Sequence, residues 1–184
     1  MPETAAKLTF KPVTKASWPD FAALFEAPGG PHYCWCMTWR ATPAEIRDTG
    51  KASRKPLIKS RVDSGTTIGL VGYLKGEPVA WVSIAPRDTY RDLGGPAVED
   101  GEVIWSLACM YMRRQLRGEG RGRELIEAAA SYARKRGATV LEAYPVDPDS
   151  PSYRFMGFVP AFEKLGFTPL GKAGSRRHIT RLAL

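Results

Sequence analysis

Residues Gln115-Leu116-Arg117-Gly118-Glu119-Gly120-Arg121-Gly122 are the most informative stretch of this sequence. Three alternating glycines allow the backbone to curl tightly and to bring its N–H groups against a ligand. A helix that follows such a turn points the positive end of its dipole at the same place, which favours a bound anion. The stretch therefore predicts a phosphate-binding turn between a strand and a helix.

The segments on either side of the turn support this prediction. Residues 102–112 read EVIWSLACMYM. Successive side chains of a strand point to opposite faces, and here most residues on each face are apolar. We therefore expect a central strand. After the turn, apolar residues recur at helical spacing from Leu125 to Ala133, and Gly137 is a typical helix stop. No Ser, Thr, Asp or Asn stands at the start of this helix, so its first N–H groups lack a side-chain acceptor.

Three known patterns of phosphate-binding turn could apply to this glycine-rich segment. A Walker-type loop needs Gly-Lys followed by Ser or Thr, and a dinucleotide fingerprint needs G-x-G-x-x-G; neither pattern is present. The pattern Gln/Arg-x-x-Gly-x-Gly/Ala is matched by QLRGEG at every fixed position. In this respect the sequence resembles the GNAT family of N-acetyltransferases. The segment Phe162-Glu163-Lys164-Leu165-Gly166-Phe167 also resembles the YEKLGF-like ending of that family, and the resemblance covers roughly residues 67 to 184.

The resemblance implies a fold and an acyl donor. The fold would be α/β (α+β), with a mixed, mostly antiparallel central sheet flanked by helices, in one N-acetyltransferase domain over residues 1–184. The donor would be acetyl-CoA, bound as a substrate. Its pantetheine arm would contact the backbone of Met110 and Met112. Its pyrophosphate would lie on the turn, which comprises Arg117, Gly118, Glu119, Gly120, Arg121 and Gly122.

The resemblance also implies direct attack of a neutral amine on the acetyl thioester. A carboxylate that removes a proton from the amine, often through water, is then required, and Glu102 at the start of the central strand is our candidate. A backbone amide of that strand would polarise the thioester carbonyl. Many relatives use a tyrosine as the acid, but Phe162 occupies that position and cannot donate a proton. Tyr144 and Tyr153 are the available hydroxyls, and we expect Tyr153 to be the acid because it precedes the cofactor-side helix.

The segment from His32 to Arg40 has the most unusual local composition in the chain. A metal site would take His32, Cys34 and Cys36 as ligands, but His178 and Cys109 are the only other residues of those types, so we expect no metal. Two interpretations stay open for Cys34, Trp35 and Trp39. These side chains form either part of the core or an aromatic wall that binds the acceptor.

The charge of the chain fits a ligand that carries several phosphates. Lysines and arginines outnumber acidic residues by 27 to 19, for a formal net charge of +8. Arginines are concentrated around the turn at 113, 114, 117, 121 and 123. Nucleic acid or the phosphates of coenzyme A would explain this cluster. Because no nucleic-acid-reading module is recognisable, coenzyme A is the more economical ligand.

Several expectations follow for compartment, partners and function. The chain has no apolar run of membrane-spanning length, no signal-peptide pattern and only three cysteines, which predicts a cytoplasmic protein without a membrane partner.

We expect an N-acetyltransferase that acts on a primary amine, most simply that of a small molecule. A homodimer is compatible with the sequence. The alternatives are a non-catalytic acyl-CoA sensor, suggested by Phe162, and a basic nucleic-acid-binding domain with a coincidental turn.

The remaining elements are predicted from periodicity and turn residues. We expect strands at Lys7–Val13, Thr67–Leu74, Val79–Ile84 and Ala138–Tyr144, and helices at Trp18–Phe25, Pro43–Thr49 and Lys55–Ser64. A hairpin turn is expected at residues 75–78. Residues 87–100 should form a long exposed loop of the kind that often lines a substrate entrance.

Overall fold

The computed structural model describes residues 6–48 and 54–184. The strands in these ranges are β1 (Thr9–Pro12), β2 (Leu70–Leu74), β3 (Glu77–Pro86), β4 (Ile104–Met112), β5 (Val140–Ala143), β6 (Thr168–Ala173) and β7 (Arg177–Ala183). The helices there are α1 (Trp18–Glu26), α2 (Pro43–Asp48), α3 (Arg54–Asp63), α4 (Gly122–Lys135) and α5 (Val159–Glu163). Thr49, the expected last residue of α2, lies outside the described residues. None of the helices in these ranges combines the length and apolar character needed to cross a lipid bilayer.

The strands form one sheet in the order β1-β2-β3-β4-β5-β7-β6. β4 and β5 run parallel, whereas the other neighbouring pairs run antiparallel. The predicted mixed, mostly antiparallel sheet is therefore confirmed. β4 stands in the middle of the order and its residues 104–108 are buried, as expected for a strand with two apolar faces.

The hairpin between β2 and β3 is tighter than predicted. Its loop consists of Lys75 and Gly76 alone, and Glu77 already belongs to β3. Both loop residues have positive φ angles, 50° and 85°, as in a two-residue type I′ turn. This turn matches the right-handed twist of the two strands, so pairing begins directly after it.

The two faces of the sheet carry separate apolar clusters. On one face, α4 buries Leu125 and Ala129 against β3 and β4, and Phe162 of α5 joins the same cluster. On the other face, Phe21 and Phe25 of α1 pack against Trp81 of β3. Because β3 and β4 are covered on both sides, they form a rigid platform along which a site can be built.

The parallel strands β4 and β5 diverge about halfway along the length of β4. They pair only from Ile104 with Val140 to Leu107 with Ala143, while β4 continues to Met112 against β3. At the point of separation, β4 carries a bulge, because Cys109 pairs with Ser83 and Leu107 pairs with Ile84. The bulge leaves the backbone of Ala108 outside the ladder. The sheet therefore contains an opening that begins at Ala108.

The loop at residues 87–100 is only partly exposed, which corrects the sequence prediction. Tyr90 and Leu93 are buried, and the Tyr90 hydroxyl is hydrogen-bonded to Arg40 and Ser83. Apolar burial and these bonds hold the start of the loop against the sheet. Residues 96–101 are exposed, as predicted.

Candidate active site

The chain between β4 and α4 forms the predicted glycine turn. One turn of 3-10 helix at Arg114–Leu116 leads into it, and α4 begins at Gly122. Gly118 and Gly120 have φ angles of 85° and 72°, a region that glycine adopts without steric cost. A Cβ atom added at either position would meet no heavy atom within 4 Å. The backbone of the turn is therefore open to a ligand.

The backbone N–H groups of residues 118–122 are the main chemical feature of this turn. They donate to no backbone or side-chain acceptor in the described part of the chain, and no side chain caps the start of α4. The positive end of the α4 dipole lies at the same place. Consecutive unpaired donors at a helix start suit the oxygens of a phosphate.

Two arginines of the turn fasten it to its surroundings. The Arg121 guanidinium donates to Glu119 at 2.7 Å, to Glu124 at 3.4 Å and to the Ala6 carbonyl at 3.0 Å, and the Glu119 hydrogen bond raises its pKa. Arg117 Nε donates to the Met112 carbonyl at 2.8 Å. These contacts shape the turn and leave its amides as the groups that face outward.

A groove of about 430 Å³ lies beside the turn, between the start of α4 and α5. Gly120 and Gly122 line one side, and Phe158, Ala161 and Lys164 line the other. Arg123 also lines the groove and pairs with Glu127 at 2.7 Å. The groove therefore offers a cationic side chain, Lys164, within an elongated space that continues from the turn.

The backbone edge of β4 faces the opening between β4 and β5. Arg113 N donates to Val79 O, and pairing alternates along an antiparallel ladder. Tyr111 and Cys109 consequently direct their backbone groups at β3, whereas Met110 and Met112 direct theirs at the opening. The two methionines that we predict to contact the pantetheine arm therefore present their backbone groups to the opening.

A cavity of about 110 Å³ runs along β4 from Ala108 to Tyr111. Cys34 and Trp39 line it, together with Met110 and Phe155. Trp35 lies elsewhere: its ring is 5% exposed and stacks on Phe25 at a centroid distance of 5.3 Å. Of the three predicted acceptor residues, the structure places Cys34 and Trp39 at the cavity and Trp35 in the core behind it.

Tyr153 lies at the rim of this cavity. Its ring centroid is 6.3 Å from that of Trp39 and 6.2 Å from that of Phe155, both of which line the cavity. The Arg177 guanidinium lies over the Trp39 ring at 4.5 Å and over the Tyr153 ring at 5.7 Å. The structure therefore brings Tyr153 together with Trp39 and Phe155, two residues of the cavity lining.

A buried arginine forms the wall of the cavity behind Cys36. Arg40 Nη1 donates to the Cys36 carbonyl at 3.1 Å and to its Sγ at 3.2 Å, and Nη2 donates to Ile68 O and to the Tyr90 hydroxyl. No carboxylate among the described residues pairs with this guanidinium. A buried guanidinium needs a negative partner. The Cys36 thiol is the group in place to provide it.

The ionisation of the surrounding groups agrees with a Cys36 thiolate. A hydrogen bond from Cys109 and the charge of Arg40 lower the pKa of Cys36 to about 5, although burial acts in the opposite direction. That hydrogen bond and burial raise the pKa of Cys109 well above its usual range. Burial raises the pKa of Cys34 to about 11 and that of Tyr90 to about 12. The directions of these shifts favour Cys36 over Cys34, Cys109 and Tyr90 as the group that ionises first.

The thiolate should make the stability of the protein depend on pH. The folded-state pKa of Cys36 lies below the ordinary value of 9.0, so its contribution is lost as the pH falls from 9 towards 5. We expect the difference in unfolding free energy between wild type and Cys36→Ser to shrink from about pH 8 to pH 5. Urea unfolding at each pH measures this difference. For the control variant Cys34→Ser, the difference in unfolding free energy from wild type should stay constant over this range. If the unfolding free energies of wild type and Cys36→Ser instead change with pH in parallel, Cys36 is protonated over this range.

Glu102 lies just before β4, in a different cavity from the aromatic cluster. Its Oε1 accepts from Arg181 Nη1 at 3.1 Å, and its Oε2 accepts from the Glu99 N–H at 2.9 Å. The cavity it lines has a volume of about 480 Å³ and shares Tyr90 with the cavity of Cys34 and Trp39. Glu102 and Tyr153 therefore lie at different cavities, which have Tyr90 as a common lining residue.

Phe162 is fully buried and packs edge-on against Phe167 at 5.0 Å. A Cβ atom at Gly157 would lie 2.6 Å from Met110 Cε and 2.7 Å from Phe162 Cε2, so the ring lies close to β4. A phenyl ring at this place has no proton to donate.

The residues considered for a metal do not assemble. Across residues 6–48 and 54–184, no group of three or more His, Cys, Asp and Glu side chains could hold an ion. The His32 ring nitrogen Nδ1 is 3.1 Å from the Gly30 carbonyl, and His178 Nε2 is 3.1 Å from Asp147. The histidines therefore have local partners at separate places.

Sequence reasoning missed several residues that line these spaces. Arg40, Tyr90 and Phe155 line the cavity along β4, and Lys164 lines the groove beside the turn. Lys164 could have been found, because it belongs to the FEKLGF segment. The other three carry no local signal, since they come from segments that meet only in the folded protein.

Comparisons with known proteins agree with this fold. The sequence model of the acetyltransferase (GNAT) family matches residues 18–167. A ribosomal-protein-alanine N-acetyltransferase from Brucella melitensis is similar in structure, with 19% identity, a TM-score of 0.56, and 96% of this chain and 99% of that chain covered. PaiA N-acetyltransferase from Thermoplasma acidophilum in complex with coenzyme A has 14% identity and a TM-score of 0.55, with 97% and 99% covered. A polyamine N-acetyltransferase from Drosophila melanogaster has 14% identity and a TM-score of 0.56, with 97% and 100% covered.

At these identities the structural likeness shows the fold alone. A comparison with curated proteins gave no match. The family match, however, spans well over half of the sequence and includes both β4 and the glycine turn. The chain belongs to the acetyltransferase (GNAT) family.

Proposed function

We propose that the protein transfers an acetyl group from acetyl-CoA to the primary amine of a small-molecule acceptor by direct attack. The observation that carries this proposal is the row of unpaired amides at residues 118–122, beside the opening between β4 and β5. A diphosphate on these amides would place the rest of the donor along the exposed edge of β4. The acceptor-side cavity lies along the same strand.

The residues around the opening fit the parts of acetyl-CoA. The amides of residues 118–122 would bind the pyrophosphate. Lys164 and Arg123 lie in the adjoining groove, where they could contact the nucleotide end. The backbone groups of Met110 and Met112 would bind the pantetheine amides, with the Met112 carbonyl already engaged by Arg117. The two backbone roles use groups whose direction is set by the strand or the turn.

The bulge in β4 is our candidate for the place of reaction. The Ala108 backbone leaves the ladder there, and Met110 directs its N–H at the opening. A backbone N–H at this point would polarise the thioester carbonyl and stabilise the negative charge that develops on its oxygen. Cys34 and Trp39 would contact the acceptor in the adjacent cavity.

Proton transfer is assigned to Glu102 and Tyr153. Glu102 would remove the proton from the acceptor ammonium through water, from the neighbouring cavity that shares Tyr90 with the cavity of Cys34 and Trp39. The free amine attacks the carbonyl carbon, the attacking nitrogen loses its extra proton to water, the carbon–sulfur bond breaks, and the thiolate of coenzyme A leaves. Tyr153, at the rim beside Trp39, would protonate this thiolate in the role that Phe162 cannot perform.

Two measurements test the proposal. A thermal-shift titration should show stabilisation by coenzyme A that grows with the ratio of ligand to Kd. Release of free thiol from acetyl-CoA with a panel of primary amines should then show turnover. Binding without release for any amine would contradict acetyl transfer and leave a coenzyme A-binding protein.

Replacing Gly120 with valine should weaken the binding of coenzyme A by at least about tenfold, or about 1.4 kcal/mol. The β-branched side chain would project from an open turn and block the approach of a phosphate to its amides. Isothermal calorimetry measures the affinity. Gly65→Val is a matched control, because Gly65 has a φ of 81°, has no neighbour within 4 Å of an added Cβ, and lies after α3. Equal affinities in the two folded variants would exclude the pyrophosphate site.

A further inference from the structure

We propose that the acceptor is a primary amine joined through an apolar body to a carboxylate, and that Arg177 binds this carboxylate. The inference rests on the proposed acetyl transfer to an amine and specifies the acceptor. The amine would point at β4, the apolar body would lie against Trp39 and Phe155, and the carboxylate would remain at the rim.

The cavity is unsuited to an acceptor that carries several positive charges. Its lining, within the described residues, contains no Asp or Glu side chain. The Cys36 sulfur already accepts a hydrogen bond from Arg40 Nη1 at 3.2 Å, so it is engaged by a cation of the protein itself. A second ammonium of a polyamine would lose its hydration there without gaining a negative partner, which is unfavourable.

Two aromatic rings at the rim, those of Trp39 and Tyr153, already have a cation of the protein on them. Aromatic faces attract positive charge, and a guanidinium on such a face is a common arrangement. Here Arg177 already lies over Trp39 at 4.5 Å and over Tyr153 at 5.7 Å. An incoming cation would meet the charge of Arg177 at the faces that could otherwise bind it.

Arg177 itself has hydrogen-bonding capacity to spare. Its Nη1 donates to the Leu93 carbonyl at 2.8 Å, while its other nitrogens have no acceptor in the described ranges. Loss of solvation lowers the pKa of this half-buried guanidinium. Asp92 is the nearby acid, but its Oδ1 accepts from the Gly94 N–H. A carboxylate on the ligand would give Arg177 a charged partner with suitable planar geometry.

The neighbouring charges do not offer the same site. Arg176 is exposed and donates to Ser152 Oγ at 2.7 Å, and His178 is held by Asp147. Arg177 is therefore the cation fixed at the cavity rim by both a carbonyl and two rings. Trp39, Met110 and Phe155 supply the apolar surface between this rim and β4.

Three amines test the assignment with wild-type protein. Para-aminomethylbenzoate carries an amine, an aromatic body and a carboxylate; benzylamine lacks the carboxylate; spermidine is a polycation. We expect kcat/KM for thiol release to decrease in this order. In the Arg177→Met variant, the ratio of kcat/KM for para-aminomethylbenzoate to kcat/KM for benzylamine should fall by about tenfold. Arg176→Met, the matched control, should leave the ratio unchanged.

Two outcomes would overturn the inference. One is a preference for spermidine, and the other is a carboxylate preference that survives in folded Arg177→Met protein. If coenzyme A binds but no amine is acetylated, the proposed function fails, and calorimetry on the protein saturated with coenzyme A still decides the inference. Tighter binding of para-aminomethylbenzoate than of benzylamine, dependent on Arg177, supports it; equal binding contradicts it.

Discussion

The Glu102→Gln variant should lose about 10²–10⁴-fold in kcat/KM at neutral pH while keeping its affinity for acetyl-CoA. An amine is mostly protonated at this pH and must lose a proton before it attacks. Glutamine preserves the size of the side chain and an acceptor for the Glu99 N–H, but it cannot take up the proton. Raising the pH supplies free amine and should recover part of the loss. Steady-state thiol release over a range of pH measures both effects.

Glu99→Gln is the matched control for this experiment. Glu99 is exposed, and it contacts Glu102 through its backbone N–H, so its side chain should be dispensable. Loss of activity by the same factor at every pH in Glu102→Gln would indicate a positioning role instead. Full activity would exclude Glu102 and would leave the acceptor to be deprotonated elsewhere.

The core of the fold was predictable because its information is local. Alternating apolar residues in 104–112 specify a strand that is buried on both faces, and the glycines after it specify a turn. The stripe from Leu125 to Ala133 then specifies the packed face of α4. Each of these features depends on neighbours within a few residues, so one sequence suffices to recognise it.

The acceptor-side cavity was less predictable because it is assembled from distant segments. Its walls come from residues 31–40, from Ser83 and Tyr90, from β4, and from Phe155. No local sequence pattern predicts that these segments come into contact. The insertion of β7 between β5 and β6 is a similar case, because it is decided by long-range strand pairing.

The contrast between Trp35 and Trp39 shows a second limit. Both belong to one aromatic segment, and no helical or strand period relates their directions. Trp35 and Cys36 have positive φ angles of 46° and 56°, so the chain turns sharply between the two tryptophans. Trp35 consequently packs in the core, while Trp39 reaches the cavity. Composition could predict aromatic surface here, but not which ring faces the cavity.

A buried ion-pair network connects Glu102 to the rest of the sheet. Glu142 of β5 is fully buried; it accepts from Arg181 Nε at 2.8 Å and from the Tyr144 hydroxyl at 2.6 Å. Arg87 Nη1 approaches the same carboxylate at 3.3 Å. Arg181 also donates to Glu102. Glu142 therefore holds both the start of the loop at 87–100 and the arginine that orients Glu102.

Removing this carboxylate should cause a large loss of stability. Glu142→Ala would leave Arg181 and Arg87 partly buried without their shared partner, so we expect the free energy of unfolding to fall by about 3–5 kcal/mol. Urea denaturation at neutral pH measures the change. Glu127→Ala is the control, because Glu127 pairs with Arg123 on the exposed face of α4 and should cost less than about 1 kcal/mol. Similar small losses in both variants would show that the charges of Arg181 and Arg87 are compensated by water or by Glu102. In that case Glu142 would not be needed to hold Glu102 in place.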